Sequence, residues 1–180
     1  MAKLHQGEKM PDFSCDTVFQ KNVTLSQLVG EKKTIVLFLR YYGCTLCQYE
    51  VHQLKEHYAA IEAVGAQAIV VFQSDPEKIA RQITPEDLPF KIICDPEMKL
   101  YQRFEIGAAA SREELMTDPL KEKLKEIVAQ GFVHGEHEGE EYQLPAYAVV
   151  DKELNILRVH YASDLLDMPE AEELPAIFQM

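Results

Sequence analysis

The sequence predicts an α/β fold in which helices flank a central mixed β-sheet. Continuous apolar runs at 34–40, 66–73 and 90–95 are typical of strands buried on both faces. Segments with helical spacing alternate with these runs, as they do when helices connect parallel strands. Two further runs, 146–151 and 155–162, are separated by only three residues and therefore predict an antiparallel hairpin. Right-handed crossovers would place the strand at 34–40 in the centre of the sheet.

Helices are expected in the segments between and after these strands. Apolar residues in 47–65 recur at helical spacing, and Gly65 suits a C-terminal cap. Ser74 and Asp75 can cap the helix after the second strand. The predicted helices span 47–65, 76–83, 96–104, 112–131 with an interruption at Pro119, and 169–178.

The composition fits one domain spanning residues 1–180. Of the 180 residues, 47% are hydrophobic, which suits one full core and is marginal for two. The formal net charge is −12 and the pI is near 4.9, so the surface repels phosphate backbones and anionic lipids. We therefore expect neither nucleic acid nor a membrane surface as a partner. Two acidic stretches, 134–141 and 168–174, are interpreted as solvated surface, and the first of them as a mobile loop.

No targeting or membrane segment is recognisable in the sequence. The first residues lack the apolar run of a signal peptide, and no stretch approaches the roughly 20 apolar residues of a membrane span. This favours the cytoplasm, where thiols stay mostly reduced and a close cysteine pair is more often catalytic or metal-binding than structural. Of the four cysteines, Cys15 and Cys94 lie in apolar, strand-like stretches and are expected to fill space.

The motif that carries chemistry is Cys44-Thr-Leu-Cys47, at the predicted junction between a buried strand and a helix. A thiol at a helix start faces unpaired amides and the positive end of the helix dipole, which lowers its pKa and favours the nucleophilic thiolate. A second thiol one turn along is close enough to attack a mixed disulfide and close a small ring. This chemistry makes Cys44 the attacking thiol and Cys47 the resolving one.

A zinc site is the main alternative for the same cysteines. His134 and His137 form an HxxH pair, and two Cys with two His are a legitimate zinc set. The distance between the two pairs along the sequence is unlike that of a zinc finger, so we favour redox chemistry over a metal site. No phosphate-binding loop, dinucleotide fingerprint or GxSxG motif is present, and no cofactor is expected.

Beyond these patterns, the chain resembles thioredoxin-fold proteins, and among them the Cys-x-x-Cys-containing subgroup of the AhpC/TSA, or peroxiredoxin-like, family. The resemblance implies a thioredoxin-like fold with a peroxiredoxin-type N-terminal extension. It also places Pro145 where the superfamily has a cis-proline that packs against the cysteine pair and shapes the substrate groove. The segments that carry the resemblance are "GEKMPDFSCDT" (7–17), "KNVTLSQLVGEKKTIVLFLR" (21–40), "ICDPEMKLYQRFEI" (93–106) and "YQLPAYAVVDKELNILRVHYASDLLDMPEAEEL" (142–174).

Two departures from these families leave the attacking thiol open. Peroxiredoxins carry Pro-x-x-x-Thr-x-x-Cys, with the last Cys attacking peroxide; here those positions hold Arg40, Cys44 and Cys47. The arginine that peroxiredoxins usually have just after the position of "QLP" is also missing. Thioredoxins carry Trp-Cys-Gly-Pro-Cys after a strand with a buried acid, whereas this chain has Gly43 for Trp, and Phe38 where the acid would be. The thioredoxin pattern makes Cys44 the nucleophile and the peroxiredoxin alignment makes it Cys47; we favour Cys44, because the first cysteine of such a pair is usually the more exposed.

The resemblance therefore implies a thiol-dependent oxidoreductase in which Cys44 attacks a peroxide or a disulfide and Cys47 resolves the intermediate. Electrons would come from an external dithiol or small thiol, and the resemblance is compatible with a homodimer. A redox-inactive thioredoxin-fold module is a further alternative. The residues expected to support the active site or the substrate groove are Arg40, Tyr42, Gly43, Thr45 and Pro145.

Overall fold

A computed structural model describes residues 1–180 and contains one seven-stranded mixed β-sheet. The strand order is β2-β1-β5-β4-β3-β6-β7; β3 pairs parallel with β4, β4 pairs parallel with β5, and the remaining pairings are antiparallel. The predicted mixed sheet and the hairpin of its last two strands are confirmed. The strands are β1 (Ser14–Thr17), β2 (Val23–Thr24), β3 (Lys33–Phe38), β4 (Ala66–Phe72), β5 (Lys91–Cys94), β6 (Ala146–Val150) and β7 (Ile156–Tyr161).

Eight helices and one 3₁₀ turn surround the sheet. None of the helices has the length and apolar composition that crossing a membrane requires. The helices are α1 (Leu25–Val29), α2 (Thr45–Glu56), α3 (Tyr58–Ala63), α4 (Pro76–Ala80), α5 (Lys99–Arg103), α6 (Arg112–Leu115), α7 (Asp118–Ala129) and α8 (Leu174–Phe178), and the 3₁₀ turn is Ala171–Glu173.

The helix boundaries differ from the predicted ones in several places: the helix predicted for 76–83 ends at Ala80, and the one predicted for 169–178 begins at Ala171 as a 3₁₀ turn. The helix predicted for 47–65 begins earlier and is divided into α2 and α3 at His57. The helix predicted from residue 96 begins only after Met98, whose backbone has a positive φ of 57°. The predicted interruption of 112–131 is present but falls at 116–117, between α6 and α7. Pro119 itself lies in the first turn of α7, where a proline costs no hydrogen bond, and Thr117 caps that helix through its side chain.

Both faces of the sheet are covered by apolar clusters, as the continuous hydrophobic runs of the strands predict. In β3, Ile35 and Leu37 face one cluster, which α2, α3 and α7 complete. Val36 and Phe38 face the other, which also contains residues of α1 and α5. Because β3 is buried on both faces and paired on both edges, its carboxyl end is a rigid support for the residues that follow it.

A long excursion, residues 108–143, leaves the sheet after α5 and returns before β6. An isolated antiparallel bridge between Ala108 and Gln143 closes the neck of this excursion. The side-chain amide of Gln143 is buried there and donates to the carbonyl oxygens of Ile106 and Gly107 at 3.0 and 2.7 Å. The excursion contains α6 and α7, and α7 packs against α2. The excursion therefore extends from the Ala108–Gln143 bridge to α2, the helix that begins at the two cysteines.

Candidate active site

The cysteine pair lies at the junction of β3 and α2, at the carboxyl end of the central strand. Cys44 is the N-cap residue of α2, with an extended backbone at φ −62° and ψ 128°, and its amide donates to the carbonyl oxygen of Tyr41 at 3.1 Å. Cys47 lies in the first turn of the helix. The loop before Cys44 is held to the neighbouring strand end, because the amide of Tyr42 donates to the Ser74 hydroxyl at 2.9 Å.

The two thiols are almost equally buried, at 3% exposed for Cys44 and 2% for Cys47, so exposure does not identify the attacking thiol. Their ionisation differs. The Cys47 thiol donates a hydrogen bond to Cys44 and this, with the charge of Arg40 and the amides of Cys47 and Leu46, lowers the pKa of Cys44 from 9.0 to about 6, despite burial. Burial and the interaction with Cys44 raise the pKa of Cys47. The geometry therefore favours a Cys44 thiolate beside a protonated Cys47.

Arg40 is turned inward, toward the thiols. It is only 7% exposed, its Nη2 donates to Glu141 Oε1 at 2.9 Å, and its guanidinium lies over the Tyr41 ring at 5.3 Å. Burial lowers the pKa of the guanidinium, but the negative charges of Cys44 and Cys47 raise it by more than burial lowers it. The net shift is therefore upward. Its buried Nε–H has no hydrogen-bond partner. An unpaired buried donor beside a reactive thiol is available to a reacting oxygen or sulfur.

Residues 132–143, which we name the capping segment, lie against the cysteine loop. Much of the stretch 134–141 is exposed, as the solvated-surface interpretation expects, and hydrogen bonds join it to the cysteine loop. The amide of Gly135 donates to the Gly43 carbonyl at 2.7 Å. The Tyr41 hydroxyl contacts His134 Nε2 at 2.9 Å and donates to Glu141 Oε2 at 3.1 Å.

The capping segment also contacts the residues that follow β4. The amide of Glu140 donates to the side-chain oxygen of Gln73 at 2.6 Å, and the amide of Asp75 donates to Glu138 at 2.8 Å. Lys78 forms an ion pair with Glu136 at 2.6 Å. The carboxylates of Glu136 and Glu138 are thus bonded to Lys78 and to the Asp75 amide, while the Glu136 side chain also stays 67% exposed.

Gly43 is required by the close approach of the capping segment. A Cβ placed on Gly43 would be 2.5 Å from the Glu136 carbonyl oxygen and 2.9 Å from its amide nitrogen. These neighbours are backbone atoms, so no side-chain rotation could relieve the overlap. The absence of the tryptophan that thioredoxins have at this position therefore has a steric reason in this chain.

The remaining predicted site residues are distributed as follows. Thr45 is buried at the start of α2 and lines a cavity beside Cys44. Tyr42 is half-buried and contacts Phe72 edge-to-face, with 6.0 Å between ring centroids. Pro145 is buried but does not line that cavity, and it follows a trans peptide bond, because the structure contains no cis peptide. The cis-proline that the resemblance implied is therefore not present; trans is the ordinary state of such a bond.

Glu50, which was not predicted from the sequence, is partly exposed and lies close enough to the pair to feel the charge of Cys44. It lies one helical turn after Cys47 and lines a cavity of about 50 Å³ together with Leu37, Leu39 and Val70. Its carboxylate makes no hydrogen bond or ion pair with another side chain. Burial, and next the charge of Cys44, raise its pKa from 4.5 to about 8. The helical spacing of the sequence could have pointed to Glu50, because it lies three residues after Cys47 and four before Leu54 and so shares their face of α2.

The zinc set considered above is not assembled. His134 contacts Tyr41, and His137 pairs with Glu141 at 2.9 Å. No group of three or more His, Cys, Asp or Glu side chains is arranged to hold a metal ion. The two other cysteines lie away from the pair, in β1 and β5, and burial raises their pKa to about 11 for Cys15 and about 12 for Cys94.

Comparison with known proteins agrees with this architecture. A family model described as "AhpC/TSA family" matches residues 6–159. No curated protein sequence matches the chain. Among solved structures, a reduced 2-Cys peroxiredoxin from Plasmodium vivax has a TM-score of 0.67 at 14% identity, over 98% of this chain and 81% of that one.

Two other solved structures share the fold at similarly low identity. AhpC from Enterococcus faecalis has a TM-score of 0.65 at 19% identity, over 97% of this chain and 90% of that one. A putative thiol:disulfide interchange protein DsbE from Chlorobium tepidum has a TM-score of 0.56 at 15% identity, over 88% and 86%. The structural similarity shows that the chain has the thioredoxin-like fold of peroxiredoxins. At identities this low it does not show a shared substrate.

Proposed function

Because this chain belongs to the AhpC/TSA family, we propose that it is a thiol-dependent oxidoreductase of peroxiredoxin-like type that cycles between a Cys44/Cys47 dithiol and a disulfide. The observation that carries the proposal is the asymmetry of the pair. Cys44 has a lowered pKa beside the buried Arg40, while Cys47 is protonated and donates to it. This is the arrangement of an attacking thiolate and a waiting second thiol.

In the first step the Cys44 thiolate attacks the distal oxygen of a peroxide. A sulfur–oxygen bond forms, the oxygen–oxygen bond breaks, and the departing alkoxide or hydroxide takes up a proton. The unpaired Nε–H of Arg40 is available to the oxygens, on which negative charge develops. Cys44 is thereby oxidised to a sulfenic acid and the peroxide is reduced to an alcohol or water. With a disulfide substrate the same attack gives a mixed disulfide instead.

In the second step Cys47 attacks the oxidised Cys44 and closes the intramolecular disulfide. Cys47 must lose its proton first, and Glu50, one turn along α2, is the carboxyl group on the same face. Once Cys44 is oxidised, its negative charge no longer raises the pKa of Glu50, so more of the Glu50 carboxyl is ionised and able to accept that proton. The sulfur–sulfur bond forms, the sulfur–oxygen bond of the sulfenic acid breaks, and the departing hydroxide takes up the proton that Glu50 accepted and leaves as water. An external dithiol or small thiol then reduces the disulfide.

The pH dependence of oxidation tests the proposal. We expect the second-order rate of oxidation of the reduced protein by hydrogen peroxide to rise with pH, because only the thiolate reacts, and to level off above about pH 7, since the pKa of Cys44 is about 6. Stopped-flow measurement from pH 4 to 9, with mass spectrometry of the product, gives the rate and the loss of both thiols. A rate still rising through pH 8.5, or no disulfide, would contradict the proposal.

Glu50→Gln should slow the second step selectively. Removing the proton acceptor should lengthen the lifetime of the Cys44 sulfenic acid by roughly 10- to 100-fold near pH 7, because general-base catalysis typically contributes at least this much. A sulfenic-acid trapping reagent, added at intervals after peroxide, measures that lifetime. Glu56→Gln is the matched control, since Glu56 is exposed on the same helix. Equal lifetimes in the two variants would remove Glu50 from the mechanism.

A further inference from the structure

A cavity of about 350 Å³ opens beside Cys44. Cys44 lines it and Cys47 does not. Its wall is mainly hydrophobic and comes largely from the excursion, with the remainder from the loop between β3 and α2, the start of α2 and the chain after β7. The hydrophobic residues of the wall include Leu46, Leu115, Met116, Leu120, Leu124 and Leu165.

The burial of the cysteines restricts which reductant can reach them. Thiol–disulfide exchange requires the incoming sulfur to make a bond with one of the two protein sulfurs. Cys44 and Cys47 are 3% and 2% exposed, and the backbone of Glu136 packs directly on Gly43. A folded protein dithiol would have to displace the capping segment before its sulfur reached Cys44. A small molecule can instead enter the cavity that Cys44 lines.

The charge at the cavity favours an anion. Its only acidic residue, Glu141, already accepts from Arg40 and Tyr41 and pairs with His137. Arg112, at the start of α6, is exposed and forms no ion pair. In a chain with a formal net charge of −12, this leaves one uncompensated guanidinium at the edge of an apolar cavity. A guanidinium in that position suits a carboxylate.

We propose that the reductant of the Cys44–Cys47 disulfide is a small carboxylate-bearing dithiol with an alkyl body. Its carboxylate binds Arg112 and its alkyl chain lies in the cavity. One thiolate attacks Cys44, the disulfide bond breaks, and Cys47 leaves and takes up a proton. The second thiol of the reductant then attacks the mixed disulfide and releases the Cys44 thiolate, so the protein gains two electrons and the reductant becomes a cyclic disulfide. This inference rests on the dithiol–disulfide cycle proposed above.

The test compares two reductants that differ only in charge. Oxidised protein is mixed with dihydrolipoate or with dihydrolipoamide, its neutral amide, and the return of free thiols is followed by stopped flow. We expect the wild-type protein to react roughly tenfold faster with the acid, the size of effect that one charged hydrogen bond gives. In Arg112→Gln the ratio of the two rates should fall to about one. Lys121→Gln is the matched control, an exposed cation outside the cavity, and should keep the wild-type ratio.

Three outcomes have different meanings. Equal rates with the acid and the amide in the wild-type protein overturn the inference but leave the cycle intact. Reduction by thioredoxin that is faster than reduction by dihydrolipoate, at equal dithiol concentration, would also overturn the inference and identify a protein reductant. If peroxide or a disulfide never generates the Cys44–Cys47 disulfide, then the proposed function itself fails, because there is nothing for any reductant to act on.

Discussion

Cys44→Ser is expected to lower the rate of reaction with peroxide by at least about a thousandfold, because a serine hydroxyl is not ionised near neutral pH and replaces the attacking thiolate. Cys47→Ser should retain the first oxidation but stop at a Cys44 sulfenic acid or mixed disulfide, since no second thiol closes the ring. Rapid-quench mass spectrometry distinguishes these results, through the masses of the reduced protein, the sulfenic acid and the disulfide.

The matched control for the cysteine variants is Cys15→Ser. Cys15 lies in β1 and its raised pKa, about 11, keeps it protonated near neutral pH, so this variant should react like the wild-type protein. Equal activity of Cys44→Ser and Cys47→Ser would contradict the proposed roles. The reverse assignment, with Cys47 as nucleophile, predicts that Cys47→Ser is the inert variant and that Cys44→Ser stops at an oxidised Cys47.

Gly43→Ala is expected to displace the capping segment and to destabilise the protein by about 1–3 kcal/mol, the usual range for overpacking. The added methyl would meet the backbone of Glu136, so the segment itself must move. Its movement would lengthen the Gly135–Gly43 hydrogen bond and the contacts of Glu141 with Arg40 and Tyr41. We therefore expect faster proteolysis within 132–143, in addition to the lower free energy of unfolding.

Gly107→Ala is a suitable control for this substitution, because a Cβ at Gly107 meets no atom within 4 Å and its backbone φ is not positive. Its free energy of unfolding, measured by chemical denaturation, should change by less than about 0.5 kcal/mol. If Gly43→Ala were as stable as Gly107→Ala and as resistant to proteolysis, the contact between the cysteine loop and the capping segment would not exist in solution.

The sheet could be predicted from the sequence because its signals are local. The apolar runs of β3 and β4 are long enough to identify strands buried on both faces, and the three-residue gap between the predicted runs 146–151 and 155–162 identifies the hairpin. The resemblance to the AhpC/TSA family, carried by motifs along most of the chain, is confirmed by the family match. The junction of strand and helix at Cys44 follows from the same signals.

The capping segment could not be predicted, because the contacts that hold it join residues far apart in sequence. Gly43 and Gly135 are bonded through backbone atoms, and no property of either side chain records that pairing. Charge and glycine content favoured a solvated loop, and much of the stretch is exposed; these signals did not show that the carboxylates of Glu138 and Glu141 also accept from an amide and a guanidinium elsewhere in the chain. Glu50 is a different case: its position on the buried stripe of α2 was visible, but a carboxylate there has no local explanation.

The bridge that closes the neck of the excursion has a consequence for the evolution of such a protein. The two cysteines lie at the junction of β3 and α2, while most of the cavity wall belongs to a stretch that departs and returns at one bridge, Ala108 with Gln143. Insertions, deletions and substitutions between those two points alter the cavity without altering the register of any strand. Selection can thus vary the molecules that reach Cys44 while the cysteine pair itself is inherited unchanged.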